Sequence, residues 1–296
     1  MKMNRLKSVL AAFAVIAAAI PASAQVLFKV EGNGLTQPSY VFGTHHLAPI
    51  DIIETFGAKA PFESTTQVVG EIDMTGNQME MAAAMQPYMM APADSTLSKV
   101  IAPDDYKILC EEFKNWAPMP GMELPMLDIM KPMAVTTMIA ATMATKAMPG
   151  YNPNDQLDSW FQTHGKEAGK KIVALETVEQ QAALLFDTTP IAFQADALVE
   201  LLKDPKKAME NTQKLTDAYN AQDLDKMIAL SEEDDEHPEF MKALLDNRNA
   251  DWLTKFPAIF KEGQTFVAVG ALHLAGDKGI GEGLRRLGYT VTPISK

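Results

Sequence analysis

In Thr265-Phe-Val-Ala-Val-Gly270-Ala-Leu-His273-Leu-Ala275, an apolar run ends in a glycine and a histidine follows three positions later. A second copy of this arrangement stands near the N-terminus, in Tyr40-Val-Phe-Gly43-Thr-His-His46-Leu-Ala48. Both copies read Gly-x-x-His-Leu-Ala after a segment typical of a β-strand. Sites in α/β sheets are built where strands end. We therefore expect the fold to bring His46 and His273 together, where they would share a metal ion.

Two acidic residues also follow strand-like runs. Glu71 comes after Thr66-Gln-Val-Val-Gly70, and Glu176 comes after Lys171-Ile-Val-Ala-Leu175. Imidazole and carboxylate ligands suit Zn, Mn, Fe or Co, and a bound ion lowers the pKa of its water so that a nearby carboxylate takes the proton. The sequence therefore predicts a site along one sheet edge, with four candidate metal ligands: His46, Glu71, Glu176 and His273.

Other interpretations of these acids and histidines stay open. Glu71 and Glu176 each also fit a helix-capping role, Glu176 because Thr177 follows it. His45 is an alternative ligand to His46, although its register differs from that of His273. His164 and His237 stand in polar surroundings and are predicted to be surface residues.

Arg248 and Asn249 are further candidates for the site. A guanidinium group binds a substrate carboxylate or stabilises an oxyanion, but a surface salt bridge is an equally good interpretation of Arg248. Asn249 is the weaker candidate of the two.

Residues 1–24 have the pattern of a secretory signal peptide. Three basic residues precede an apolar run from Val9 to Ile20, and Pro-Ala-Ser-Ala24 supplies a cleavage pattern, so we expect cleavage before Gln25. The apolar run is short for a membrane span, and no later segment approaches the required length. We expect a secreted or periplasmic protein without a transmembrane segment after removal of the signal.

Composition narrows the classes of function. The formal net charge is −12, and loss of a basic leader would make the chain more acidic still, which argues against nucleic acid as a partner. The single cysteine excludes an internal disulfide framework and leaves histidines and carboxylates to build any metal site. Hydrophobic residues make up 47% of the chain, enough for a packed core.

The order of predicted elements indicates an α/β fold, with a mixed central sheet flanked by helices in a single domain over residues 25–296. A hairpin is expected at the start, from strands at 26–30 and 39–42. Helices are expected at 52–60, 155–169, 177–186, 191–230 (two), 238–260 (one long or two) and 276–287, with a last strand at 288–294. Thr177 and Gln180 have the spacing of a capping box.

Residues 75–160 read as a helical insertion that is unusually rich in methionine. Methionine fills irregular gaps in cores, which is the ordinary interpretation. The alternative is an adaptable apolar surface for a peptide, because flexible Met-rich surfaces suit varied partners.

The chain resembles the TraB/PrgY/GumN family, which includes the Tiki metalloproteases, from about Val26 to Ile294. The resemblance rests on these segments: Leu27-Phe-Lys-Val30, Tyr40-Val-Phe-Gly-Thr-His-His46, Val69-Gly-Glu71, Lys131-Pro132, Leu175-Glu-Thr177, Glu179-Gln180, Arg248-Asn249 and Val269-Gly-Ala-Leu-His-Leu-Ala-Gly276. It implies a fold like that of erythromycin esterase and ChaN, with a mixed sheet flanked by helices. In Tiki proteins the two motif histidines and the glutamate are linked to a peptidase that uses manganese or cobalt.

Carried onto this chain, the resemblance assigns those roles to His46, His273 and Glu71, while Arg248 and Asn249 match a further family signature. The chain departs from the family at His45, where other members often have an apolar residue.

The sequence thus predicts an exported metal-dependent hydrolase, in the first place a peptidase, that uses Mn, Co or Zn on a peptide or small-molecule substrate. Its expected catalytic residues are Glu71, Arg248 and Asn249, and its expected metal ligands are His46, His273, Glu71 and Glu176. One alternative is a protein that binds a peptide or small ligand without turnover. Another, implied by the resemblance to ChaN, is a haem-binding or metal-binding protein.

Overall fold

A computed structural model describes residues 25–147, 151–152, 155–233 and 238–295. The predicted signal peptide at 1–24 and the predicted surface residue His237 lie outside these described residues. Within them, no helix has the length and hydropathy needed to cross a bilayer.

A single mixed sheet of six strands forms the centre of the described fold, in the order β4-β3-β5-β2-β1-β6. The strands are β1 (Leu27–Gly32), β2 (Ser39–Thr44), β3 (Gln67–Gly70), β4 (Lys171–Ala174), β5 (Thr265–Gly270) and β6 (Tyr289–Pro293). Strands β4, β3, β5 and β2 run parallel, whereas β1 is antiparallel to both β2 and β6. The predicted α/β class and the hairpin are therefore confirmed, with Leu27 opposite Phe42 in the hairpin.

Helices cover the sheet and build the layer beside it. They are α1 (Ile52–Thr55), α2 (Lys59–Ser64), α3 (Gln78–Met89), α4 (Leu97–Val100), α5 (Pro103–Trp116), α6 (Pro132–Ala147), α7 (Leu157–Glu167), α8 (Val178–Asp187), α9 (Ile191–Lys203), α10 (Pro205–Asn220), α11 (Leu224–Glu232), α12 (Pro238–Met241), α13 (Arg248–Glu262) and α14 (Ile280–Arg286). Short 3₁₀ segments span Leu124–Leu127 and Ala271–Leu274, and a π-helical segment spans Lys242–Asn247.

Two predicted helical segments divide differently in the structure, and a third follows one of its predicted alternatives. The segment 52–60 is not one helix, because Gly57 at φ +73° separates α1 from α2. The segment 191–230 holds three helices rather than two, since Asp204 caps α10 and Asp223 caps α11 through their side chains. The segment 238–260 holds two helices, α12 and α13, which is one of its two predicted alternatives, and the π-helical segment joins them. The capping box of Thr177 and Gln180 at the start of α8 is confirmed.

Two main clusters of buried side chains stabilise the described residues. The first joins the sheet to α7 and α13, and its aromatic centre includes Phe42, Phe161 and Phe266, whose ring centroids lie 4.7–6.2 Å apart. The second lies within the helical layer of α4, α5, α6 and α9 and includes Phe113 and Ile139. A cleft separates part of this layer from the edge of the sheet.

The methionines of the helical layer divide into buried and exposed ones. Met143 is buried in the second cluster, and Met130 and Met138 pack against it, which is the core-filling role. Met79, Met119 and Met126 are exposed. The ordinary interpretation therefore holds for only part of the segment.

Candidate functional site

The site is built at the edge where the four parallel strands end. His45 and His46 follow β2, Glu71 follows β3, and Glu176 follows β4 by two residues. His273 lies in the 3₁₀ segment that directly follows β5. Because β3, β5 and β2 are adjacent in the sheet and parallel, the structure places these residues on one sheet edge.

A cleft of about 870 Å³ opens at this edge. Its lining includes His46, Glu71, Arg248 and His273, so residues far apart in the chain face one cavity. Glu176 lies behind Arg248, with a side chain only 8% exposed.

The first motif glycine allows the two motifs to touch. A Cβ atom placed on Gly43 would lie 2.9 Å from Cα of Ala271, which is closer than real Cβ contacts. Ala271 belongs to the second motif, so the absence of a side chain at Gly43 lets the turn that carries His273 lie against β2. Gly43 therefore allows the backbones of the two motifs to come into close contact.

Arg248, the first residue of α13, is the centre of the polar network. Its guanidinium Nη2 donates to Oε2 of Glu71 at 2.6 Å and also to Oε1 of Glu176, and its Nε donates to Oε2 of Glu176 at 3.1 Å. Its Nη1 donates to Nε2 of His273 at 3.0 Å. The guanidinium carbon also lies 4.6 Å from the ring centroid of Trp252. Arg248 is 9% exposed, so the surface salt bridge considered from the sequence is wrong.

Glu71 stays ionised in this network. Burial alone would raise the pKa of its carboxyl, but His273, Arg248 and the backbone N–H of Gly270 outweigh it and lower the pKa to about 2. The Gly270 N–H donates to Oε1 of Glu71 at 2.9 Å. The helix-capping role is not observed for Glu71, and at Glu176 the cap is supplied by Thr177 instead.

The tautomer of His273 follows from its partner Asn249. The Asn249 Nδ2 group donates to the backbone carbonyls of His273 at 3.2 Å and Lys278 at 3.1 Å, so its Oδ1 must accept. Nδ1 of His273, 2.8 Å from that oxygen, is therefore the protonated nitrogen. Its Nε2 lone pair faces Arg248. Burial lowers the pKa of His273 to about 4, which keeps the ring neutral at pH 7.

Of the two neighbouring histidines, His46 faces the cleft with a side chain 70% exposed. Its Nδ1 lies 3.5 Å from Oδ2 of the buried Asp158, and this carboxylate raises the pKa of His46 to about 9. His45 instead pairs its Nε2 with Thr216 Oγ1 at 3.0 Å, and burial lowers its pKa to about 4. The hydroxyl of Thr216 donates to Thr212, so His45 is the donor to it. That bond occupies one ring nitrogen of His45.

Sequence reasoning missed three residues of the network. Asp158 comes from α7 and accepts from Thr44 at 2.7 Å. Gln181 donates to Glu71 at 3.2 Å and to Glu176 at 3.1 Å. Trp252 lies one helical turn after Arg248, with its ring centroid 4.4 Å from that of His273. Only Trp252 had a local signal, its i+4 spacing from Arg248. The remaining histidine, His164, is exposed on α7, as predicted.

The donor types at this edge fit a divalent ion. Nε2 of His273 is unprotonated, Glu71 is ionised, and the second ring nitrogen of His273 is fixed by Asn249, as is usual for metal-binding histidines. Among the described residues, however, no group of three or more His, Cys, Asp or Glu side chains is arranged to hold an ion. In this arrangement the guanidinium group of Arg248 donates hydrogen bonds to Glu71, Glu176 and Nε2 of His273, which are the candidate ligand atoms.

A family profile of the TraB/PrgY/gumN family matches residues 26–293. The chain therefore belongs to the TraB/PrgY/gumN family, which agrees with the resemblance inferred from its motifs. No curated protein and no solved structure matches the chain significantly. Family membership alone assigns no reaction, so function has to be argued from the site.

Proposed function

We propose that the chain is an exported metal-dependent hydrolase that acts on peptides. One observation carries the proposal: His46, Glu71, Arg248 and His273, drawn from both ends of the chain, line one cleft at the carboxyl edge of parallel strands. Such a cleft with several titratable groups of shifted pKa is the usual setting of an active site. Export is inferred from the leader-like residues 1–24.

His46, His273 and Glu71, with Glu176 behind them, would hold the ion, and His46, whose pKa Asp158 raises to about 9, would have to lose its proton to bind it. When bound, an ion of this kind acidifies a water molecule and polarises a substrate carbonyl. Arg248 now donates hydrogen bonds to the same carboxylate oxygens and imidazole nitrogen that would bind the ion. The affinity for the ion therefore depends on how readily the guanidinium group gives up these hydrogen bonds. Mn, Co and Zn all accept such ligands.

The residues of the chain have separable tasks in this proposal. Because the pKa of Glu71 is held at about 2, its carboxylate is a weak proton acceptor and is better suited to ligation and to holding Arg248. His273, kept neutral with its Nδ1 proton on Asn249, offers Nε2 as ligand or proton acceptor. The N–H groups of Arg248 suit the negative charge that develops on a carbonyl oxygen under attack.

Hydrolysis of a peptide bond needs only the peptide and one water molecule as reactants. The oxygen of water bonds to the carbonyl carbon, the C–N bond breaks, and the protons of water pass to the leaving amine and the medium. The expected products are a free carboxylate and a free amine.

Elemental analysis together with a peptide digest tests the proposal. Protein spanning residues 25–296 is stripped with chelator, reloaded separately with Mn, Co or Zn, and incubated with a peptide library that is read by mass spectrometry. We expect one ion per chain and new peptide termini, both lost in the His46→Ala/His273→Ala double variant. The control His164→Ala alters an exposed histidine of α7 and should retain both. Undiminished cleavage by the double variant would refute the proposal.

A second candidate function is the binding of a peptide without turnover. It is favoured by the hydrogen bonds from Arg248 to Glu71, Glu176 and His273, which engage the atoms that would otherwise bind a metal ion. It predicts peptide binding that survives both chelation and the Glu71→Gln change, with no cleavage product. The same digest therefore decides between the two candidates.

A further inference from the structure

The cleft has two ends of unlike chemistry. Glu71, Arg248 and His273 make one end polar and charged. The walls that lead away from this end are mostly apolar and come from α6, α9, α10, α11 and the π-helical segment; they include Ala140, Ala144, Leu201, Met209, Met227 and Leu244. Polar side chains on these walls are fewer and include Thr137, Thr212 and Gln213.

Helix α6 presents one face to the cleft and the opposite face to the helical core. Thr137, Ala140, Ala141 and Ala144 line the cleft at i, i+3, i+4 and i+7, the spacing of one helical face. Ile139 is buried in the helical core. Helices that are apolar on all sides are normally buried, yet Ala140 and Ala141 are exposed here. The small side chains leave room for a ligand that would cover them.

Helix α10 supplies part of the same wall. Ala208, Met209, Thr212 and Leu215 line the cleft. Lys206 and Glu210 form an ion pair at 3.5 Å, with side chains 83% and 59% exposed, and mark the outer rim. The apolar wall thus lies between a charged rim and the polar end.

Resting on the proposed function, we propose that the cleft selects peptides with apolar side chains, which bind against α6 and α10 while a backbone carbonyl of the peptide reaches the polar end. The apolar wall and the residues Arg248 and His273 line the same cleft. A molecule bound against this wall would therefore reach the proposed catalytic residues, as a substrate does. A peptide fits better than an alkyl chain, because the hydroxyl oxygens of Thr137 and Thr212 retain acceptor capacity that only a polar backbone would use. Methionine on the wall accommodates side chains of different shape.

Fluorescence polarisation with two dye-labelled peptides of equal length tests the proposal. One peptide contains leucine and alanine, and the other contains serine and glutamine at the same positions. Binding is measured to the chain spanning residues 25–296 in the presence of chelator, so that turnover does not interfere. A labelled alkyl chain serves as the third probe. We expect the apolar peptide to bind at least about tenfold more tightly than the polar one, since its side chains are removed from water.

A matched pair of variants locates the binding surface. Ala140→Glu places a carboxylate on the exposed wall of the cleft, whereas Thr145→Glu places one on an exposed position of the same helix that does not line it. Ala140→Glu should weaken binding of the apolar peptide at least about tenfold, because the ligand would bury an unpaired charge. Thr145→Glu should leave affinity within about twofold.

Each outcome has a separate meaning. Equal affinity for both peptides, failure of both to bind, preference for the alkyl probe, or an unchanged affinity in Ala140→Glu would overturn the apolar specificity. Selective binding of the apolar peptide without cleavage in the metal-loaded digest would leave this specificity intact and refute the hydrolase instead. Cleavage of peptides without a preference for apolar side chains would support the hydrolase and refute the apolar specificity.

Discussion

At the scale of single residues, Asn249 is the side chain that determines the state of the site. All of its observed hydrogen bonds join α13 to the turn after β5, and they fix which nitrogen of His273 carries the proton. A residue considered from the sequence as a minor catalytic candidate is thus placed to orient the histidine.

Asn249→Ala should lower the free energy of unfolding by about 2 kcal/mol or more, because two buried hydrogen bonds and one partly buried one lose their partner. Urea denaturation measures the change. Asn247→Ala is the control, since Asn247 is exposed and its side chain does not cap α13. That variant should stay within about 0.5 kcal/mol of the parent. Equal losses in the two variants would show that the network adds no stability.

The low pKa of His273 predicts a pH dependence of stability. In the unfolded chain the ring takes up a proton below its ordinary pKa of 6.5, whereas the folded ring resists protonation until about 4. The contribution of His273 to stability is therefore complete above pH 6.5 and falls as pH decreases towards 4, by up to about 1.4 kcal/mol per pH unit. His45, whose pKa burial also lowers to about 4, adds a loss of the same sign over this window. Chemical denaturation between pH 6.5 and 4.5 avoids the lower range in which Glu71 titrates.

Replacing the ring with an amide should reduce this slope. We expect His273→Gln to show a smaller loss of stability across the window, while His164→Gln, which alters an exposed histidine, keeps the slope of the parent. His46 has a raised pKa, so its contribution is complete below pH 6.5 and is lost only as pH rises towards 9. A His273→Gln slope equal to that of the parent would contradict the assignment.

Among the elements, the contact between β2 and the turn after β5 explains the glycine of the first motif, whereas a Cβ atom on Gly270 would meet Glu71 and His273 at ordinary distances of 3.5 and 3.6 Å. The contact needs a residue without a side chain at Gly43, because Cα of Ala271 occupies the space. The observed close approach is between the two motifs themselves.

Gly43→Ala should destabilise the protein by about 1–3 kcal/mol, because a backbone atom cannot move aside as a flexible side chain does. The displaced turn carries His273, so metal binding should weaken in the same variant. Gly76→Ala is the matched control, since a Cβ there meets nothing within 4 Å and its φ is not positive. Denaturant midpoints and ion titrations of both variants provide the measurement. A Gly43→Ala protein indistinguishable from Gly76→Ala would refute the close contact.

At the scale of the whole molecule, an ion bound between His46 and His273 would tie the first and last thirds of the chain together. Ligands that bind only the folded state raise its stability by about 2.7 kcal/mol at a free concentration 100 times Kd. We expect Mn, Co or Zn to raise Tm in the parent and in His164→Ala, but not in the His46→Ala/His273→Ala variant. Sodium chloride at matched ionic strength controls for charge screening. An equal rise in the double variant would place the ion elsewhere.

Local patterns along the chain were enough to predict several features of the fold. Alternating and apolar runs placed the strands, the two Gly-x-x-His motifs marked two strand ends, and Thr177 with Gln180 marked the start of α8. Parallel order then put the four candidate ligands on one edge, because parallel strands end on the same side of a sheet.

The pairing of these residues depends instead on contacts between distant parts of the chain. It brought Asp158 from α7 to His46, tied His45 to Thr216, and placed the guanidinium of Arg248 between Glu71 and Glu176. The residues of each pair are far apart in sequence. The spacing of apolar residues in strands and helices therefore does not predict these pairs. Helix packing on the sheet determines which distant side chains meet, and their burial then sets their charge.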